Sequence, residues 1–92
     1  IYVTGNLGDS FAGLLTINKK IKINSYSRKY FIKKYYLPDI KFSLIKDIRK
    51  IANTSIDISD GLLTDMEKLI NNQKLSYQIF LEKITIYSNL SN

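Results

Sequence analysis

Hydrophobic positions recur along this chain with two different spacings, and each spacing predicts an element. Tyr2-Val3 runs into Thr4-Gly5-Asn6-Leu7-Gly8-Asp9-Ser10, the pattern of a short strand, a glycine turn and a helix start with Asp9 or Ser10 as N-cap. Phe11, Leu14 and Leu15 then give a first helical face. Residues 21–26 lose that spacing and read as loop. A second helix is predicted from about Ser27 to Tyr36, ending near Leu37 because Pro38 disfavours the helical region in the residue before it. Leu44, Ile45, Ile48, Ile51 and Ala52 fall at i, i+1, i+4, i+7 and i+8, one apolar stripe of a third helix that Asn53-Thr54 closes.

From Ser55 the period shortens to two, with Ile56 and Ile58 on one side and Asp57 and Ser59 on the other, the signature of a strand with one buried face. Helical spacing returns in Leu62, Leu63, Met66, Leu69 and Ile70, with Ser59 or Asp60 as the expected cap and Asn71-Asn72 at the exit. Leu75, Tyr77, Ile79 and Leu81 alternate again, and Ile84 to Tyr87 is expected to continue as extended chain or a short strand. Residues 88–92 form a polar tail of the kind that frays. These elements predict an α/β fold in which a mixed sheet is covered by helices.

Composition narrows the chemistry. The 92 residues allow one domain, and a chain this short buries only roughly 60–65% of its unfolded surface, so its core is thin. With 45% hydrophobic and 24% charged residues it is an ordinary globular sequence. There is no cysteine and no histidine, which excludes disulfides, thiolate nucleophiles, imidazole bases and zinc sites of the usual kinds. No apolar run approaches the ~20 residues that span a bilayer, and a cytoplasmic location is expected. The first residue is Ile1, not methionine, and Ile1-Tyr2-Val3 already reads as strand, so the chain is expected to be an interior piece of a longer protein.

The net charge of +6 is concentrated between Lys19 and Lys34, where basic residues interleave with Tyr26, Tyr30 and Phe31. Such a mixture suits phosphate neutralisation and base stacking. Lysine outnumbers arginine twelve to two, however, and a solvated basic face is the favoured reading over a nucleic-acid surface.

Two motifs carry candidate chemistry. In Ile56-Asp57-Ile58-Ser59-Asp60-Gly61-Leu62, two carboxylates three residues apart span a strand end and a helix start. Hard oxygen ligands of this kind suit Mg²⁺, which takes one or two protein carboxylates and completes its shell with water and phosphates. A helix N-terminus adds N–H groups and partial positive charge, both favourable to phosphate. The plainer alternative is that Ser59 and Asp60 only cap the helix. A cap does not require the acid at Asp57. The second motif, the glycine turn from Thr4 to Ser10, matches neither the phosphate loop nor the dinucleotide fingerprint, and a simple strand-to-helix turn is its favoured reading.

In order and spacing, Tyr-Val-Thr-Gly-x-Leu-Gly-Asp-Ser-x-x-Gly-Leu from Tyr2 to Leu14, Tyr36-Leu37-Pro38, and Ile-Asp-Ile-Ser-Asp-Gly-Leu from Ile56 to Leu62 with Asp65 following resemble the thiamine-monophosphate kinases. The resemblance covers nearly the whole chain. It implies a single partial domain over residues 1–92, similar to the start of the C-terminal domain of the aminoimidazole ribonucleotide synthetase-like ATP-binding superfamily. It also implies Asp57 and Asp60 as Mg²⁺ ligands, Ser59 as an ATP contact, ATP and thiamine monophosphate as substrates, and a homodimer of the full-length protein. Further metal-binding acids precede this segment in the family and substrate-contacting residues follow it, so the 92 residues alone are expected to be inactive. A truncated binding or assembly module is the main alternative. A small basic nucleic-acid binder is the lesser one.

Overall fold

The computed structural model describes residues 1–71 and 73–87; Asn72, expected at a helix exit, and the polar tail 88–92 lie outside the described residues. Among the described residues four α-helices follow one another, α1 (Asp9–Ile17), α2 (Ser25–Tyr36), α3 (Ile45–Ile51) and α4 (Leu62–Ile70), with single 3₁₀ turns at Phe42–Leu44 and Leu81–Lys83.

The expected mixed sheet is absent: no strand occurs among the described residues. Alternation marks a segment able to pair, but a strand exists only where neighbours complete its ladder, and even an isolated hairpin is marginal in water. Ile56 and Ile58, the apolar side of the clearest alternating run, stay 41% and 40% exposed. The 3₁₀ turn from Leu81 cuts off the end of a second such run. The α/β assignment is therefore corrected to an all-helical one.

The chain divides into two compact units, one formed by Ile1–Lys41 with the described residues from Phe80, the other by Phe42–Ile79. In the first, α1 packs on α2. Gly8, at φ 86°, occupies the cap position ahead of α1, so the left-handed turn and not an Asp9 or Ser10 side chain starts the helix. α2 begins two residues earlier than its apolar spacing suggests, because Asn24 Oδ1 accepts a hydrogen bond from the Ser27 N–H at 2.8 Å. It ends at Tyr36, as the following Leu37-Pro38 requires.

Phe31 is fully buried between the helices, edge-on to Tyr30 and Tyr87 at 5.2 Å each, while Tyr30 and Tyr87 stack at 4.4 Å. Tyr30 donates its hydroxyl to Asp9 Oδ2 at 2.7 Å, and the Leu7 N–H donates to the Thr85 carbonyl at 3.0 Å. The other Asp9 oxygen is buried with no hydrogen-bond partner among the described residues, a defect that costs about 1–3 kcal/mol.

In the second unit the apolar stripe of α3 is not covered, with Ile45 46% and Ile51 76% exposed. α4 buries Met66 and, less expectedly, the carboxylate of Asp65. That buried acid organises the loop that carries the candidate site.

Candidate functional site

The segment from Asp57 to Gly61 enters α4 through an unusual backbone step. Gly61 takes φ 118° and ψ 153°, a region open essentially to glycine alone. A Cβ built there would meet nothing within 4 Å, so the glycine is needed for its backbone angle and not for space. Gly61 holds the cap position, and no side chain caps α4. Ser59 and Asp60 therefore do not serve as the expected caps.

What fixes the loop is Asp65, only 1% exposed. Its Oδ2 accepts hydrogen bonds from the backbone N–H groups of Ser59 at 2.8 Å and Asp60 at 2.9 Å. Its Oδ1 accepts from the Lys68 ammonium at 2.8 Å, one helical turn away. Three donors on one carboxylate favour the charged form. The Lys68 hydrogen bond, helped by the two backbone donors and opposed by burial, holds the Asp65 pKa at about 2, against an ordinary value of 3.8. Lys68 also donates to Asp60 Oδ2, and these two carboxylates, Asp60 first, raise its pKa above the usual lysine value.

A pH dependence follows. A carboxylate whose pKa is depressed by folding stabilises the fold fully above its unfolded value, near 3.8, and loses that contribution as pH falls through about 2. In the absence of divalent cations, the Asp65 carboxyl ¹³C signal should titrate with a midpoint near 2. Unfolding stability should decline across the window between those two values, and Asp65→Asn should remove that part of the slope. A midpoint near 3.8 would show that the three hydrogen bonds do not hold in solution.

With the loop backbone anchored from behind, its functional groups are left outward. Asp57 is exposed and makes no hydrogen bond or ion pair among the described residues, Ser59 is exposed, and the Asp60 side chain is 63% exposed with Lys68 as its partner. No group of three or more His, Cys, Asp or Glu side chains that could hold a metal ion occurs among the described residues. Two exposed carboxylates nonetheless match the hard-oxygen set from which Mg²⁺ takes one or two, the rest of its shell coming from water and phosphate.

The sequence pattern drew attention to Asp57, Ser59 and Asp60 but missed the parts played by Asp65 and Lys68. The available signal was an acid in the first turn of a helix with a lysine three residues on, a spacing that brings both onto one face. Of the basic stretch, Arg28, Lys29, Lys33 and Lys34 lie on α2, where Arg28, Lys29, Ile32, Lys33 and Tyr36 help line an open groove of about 500 Å³. No helix among the described residues is long and apolar enough to cross a membrane.

Comparison with known proteins gives one family name. The chain is 45% identical over 87 residues to the thiamine-monophosphate kinase of Buchnera aphidicola subsp. Acyrthosiphon pisum (strain APS), a match covering 94% of this chain and 27% of that protein. It is 34% identical over 91 residues to the enzyme of that name from Aquifex aeolicus (strain VF5), covering 98% of this chain and 29% of the relative. For Escherichia coli (strain K12) the identity is 32% over 92 residues, 99% of this chain and 28% of the relative. The chain thus spans little more than a quarter of the length of these curated relatives. No family model matches the sequence, and no solved structure matches it.

Proposed function

We propose that this chain, which is homologous over nearly its whole length to a segment of the thiamine-monophosphate kinases, contributes the metal and phosphate loop of an enzyme that transfers the γ-phosphate of ATP to thiamine monophosphate. The observation that carries this reading is the loop itself. Its backbone is tied down by Asp65, while Asp57, Ser59 and Asp60 stay exposed at the entrance to α4.

In this reading Asp57 and Asp60 hold Mg²⁺ and the Ser59 hydroxyl contacts ATP. Bound Mg²⁺ would neutralise phosphate charge and help orient the transferred group. The chain's own contribution is placement. Gly61 turns the loop into the helix, Asp65 fixes two of its amides, and Lys68 pairs with both Asp60 and Asp65. This chain supplies no thiol and no imidazole. In the reaction a terminal phosphate oxygen of thiamine monophosphate bonds to the γ-phosphorus as its bond to the bridging oxygen of ADP breaks.

A homodimer and a cytoplasmic location belong to the same proposal. The 92 residues by themselves are expected to be inactive, because the relatives are more than three times as long. The test uses the natural-length protein with ATP, Mg²⁺ and thiamine monophosphate, following thiamine diphosphate and ADP. Equimolar, Mg²⁺-dependent formation of both is expected. Binding of the substrates with no product above a blank would favour a non-catalytic module and contradict the kinase reading.

A further inference from the structure

We propose that Asp65 is a positioning residue for the metal loop, acting through the backbone of Ser59 and Asp60 and not by touching metal or nucleotide. The inference rests on the reading of Asp57 and Asp60 as Mg²⁺ ligands. Its independent basis is geometric: a carboxylate buried to 1% exposure accepts two successive loop N–H groups on one oxygen and the Lys68 ammonium on the other.

Two consequences follow. The Ser59 and Asp60 amides, which in an open turn would form an anion-binding concavity, are already used by Asp65. Phosphate recognition by this part of the loop therefore falls to side chains, namely the Ser59 hydroxyl and whatever cation Asp57 and Asp60 hold. Second, Lys68 is shared between Asp65 and Asp60, so one ammonium lies against both carboxylates and ties the buried acid to a proposed ligand. Groups that orient metal ligands in this indirect way change metal affinity about 10–100-fold when removed.

A loss of affinity in Asp65→Asn alone would not separate positioning from a simple charge effect, because the substitution also deletes a negative charge. The double variant Asp65→Asn/Lys68→Met removes one charge of each sign but also frees Asp60 from Lys68, so amide exchange carries the separation: lost positioning speeds it at Ser59 and Asp60, a lost charge alone does not. The probe is Mn²⁺ alone, with free ion counted by electron paramagnetic resonance in the natural-length protein, together with amide exchange at Ser59 and Asp60.

Weakening of Mn²⁺ binding by about tenfold or more is expected in Asp65→Asn, with faster exchange at both amides in that variant and in the double variant. Weaker Mn²⁺ binding in Asp65→Asn with wild-type exchange at both amides would overturn the positioning role and leave Asp65 acting only through its charge. Mn²⁺ affinity indifferent to Asp57→Asn and Asp60→Asn would overturn the metal loop itself, and the positioning role with it. Should either Asp65 variant fail to fold, the wild-type exchange rates decide: both amides must be protected, and exchange at open-loop rates contradicts the proposal.

Discussion

Gly13→Val is expected to disrupt the α1–α2 pair. A Cβ at Gly13 would lie 2.3 Å from the Phe31 carbonyl oxygen, 2.8 Å from Tyr35 Cβ and 3.0 Å from the Phe31 carbonyl carbon. The nearest obstacle is backbone, which cannot rotate aside, so the helices must separate. Separation uncovers Phe31, the largest fully buried side chain described.

Intrinsic preference runs the other way, because glycine costs a helix about 1 kcal/mol relative to alanine. Tight packing outweighs it. Overpacking a close contact costs about 1–3 kcal/mol, and valine, with a branched Cβ against main chain, belongs at or beyond the upper end. The buried apolar side chains described are only Ala12, Phe31 and Met66, which leaves little to absorb the loss. Urea unfolding followed by helical circular dichroism should show a much lower midpoint for Gly13→Val and a smaller drop for Gly13→Ala. An unchanged midpoint in both would mean that the helices do not cross this closely.

The four helices were legible because their information is local. Apolar residues at helical spacing located α1, α3 and α4, and Leu37-Pro38 marked the end of α2. The strands were misread for the complementary reason. Ile56 and Ile58 alternate as a strand face should, but the partner that makes a strand is non-local, and alternation says nothing of its presence. The exposed stripe of α3 teaches the same point for helices: an apolar face identifies what can be buried, not what covers it.

At the candidate site, the acids Asp57 and Asp60 stood out from their spacing and from a family resemblance. Their support did not. Asp65 reaches back to Ser59 and Asp60 only because Gly61 turns the loop at a positive φ, a path that no linear pattern encodes. The same turn displaced the expected caps, as Gly8 did at α1. Gly13 was read as part of a motif, while its packing role depends on where α2 lies.

The central claim, that the loop ahead of α4 holds Mg²⁺ against ATP phosphates, is tested most directly by Asp57→Asn and Asp60→Asn in the natural-length protein. Asparagine keeps the shape and caps a helix about as well as aspartate, so it removes little but the charge. The fold should tolerate both changes: Asp57 has no partner among the described residues, and Asp60 loses only an exposed ion pair with Lys68, worth about 0–1 kcal/mol. Catalysis should not tolerate them. Loss of an electrostatic element of a phosphoryl-transfer site is expected to lower turnover by about 100-fold or more. The Mg²⁺ concentration needed for half-maximal rate should rise as well. Ser59→Ala should show a smaller defect, mainly in ATP affinity. The measurement is turnover against Mg²⁺ at saturating ATP for wild type and the two Asp variants. Depressed turnover with a shifted Mg²⁺ dependence in both is the predicted result, and wild-type turnover with wild-type Mg²⁺ dependence in both would contradict the metal assignment.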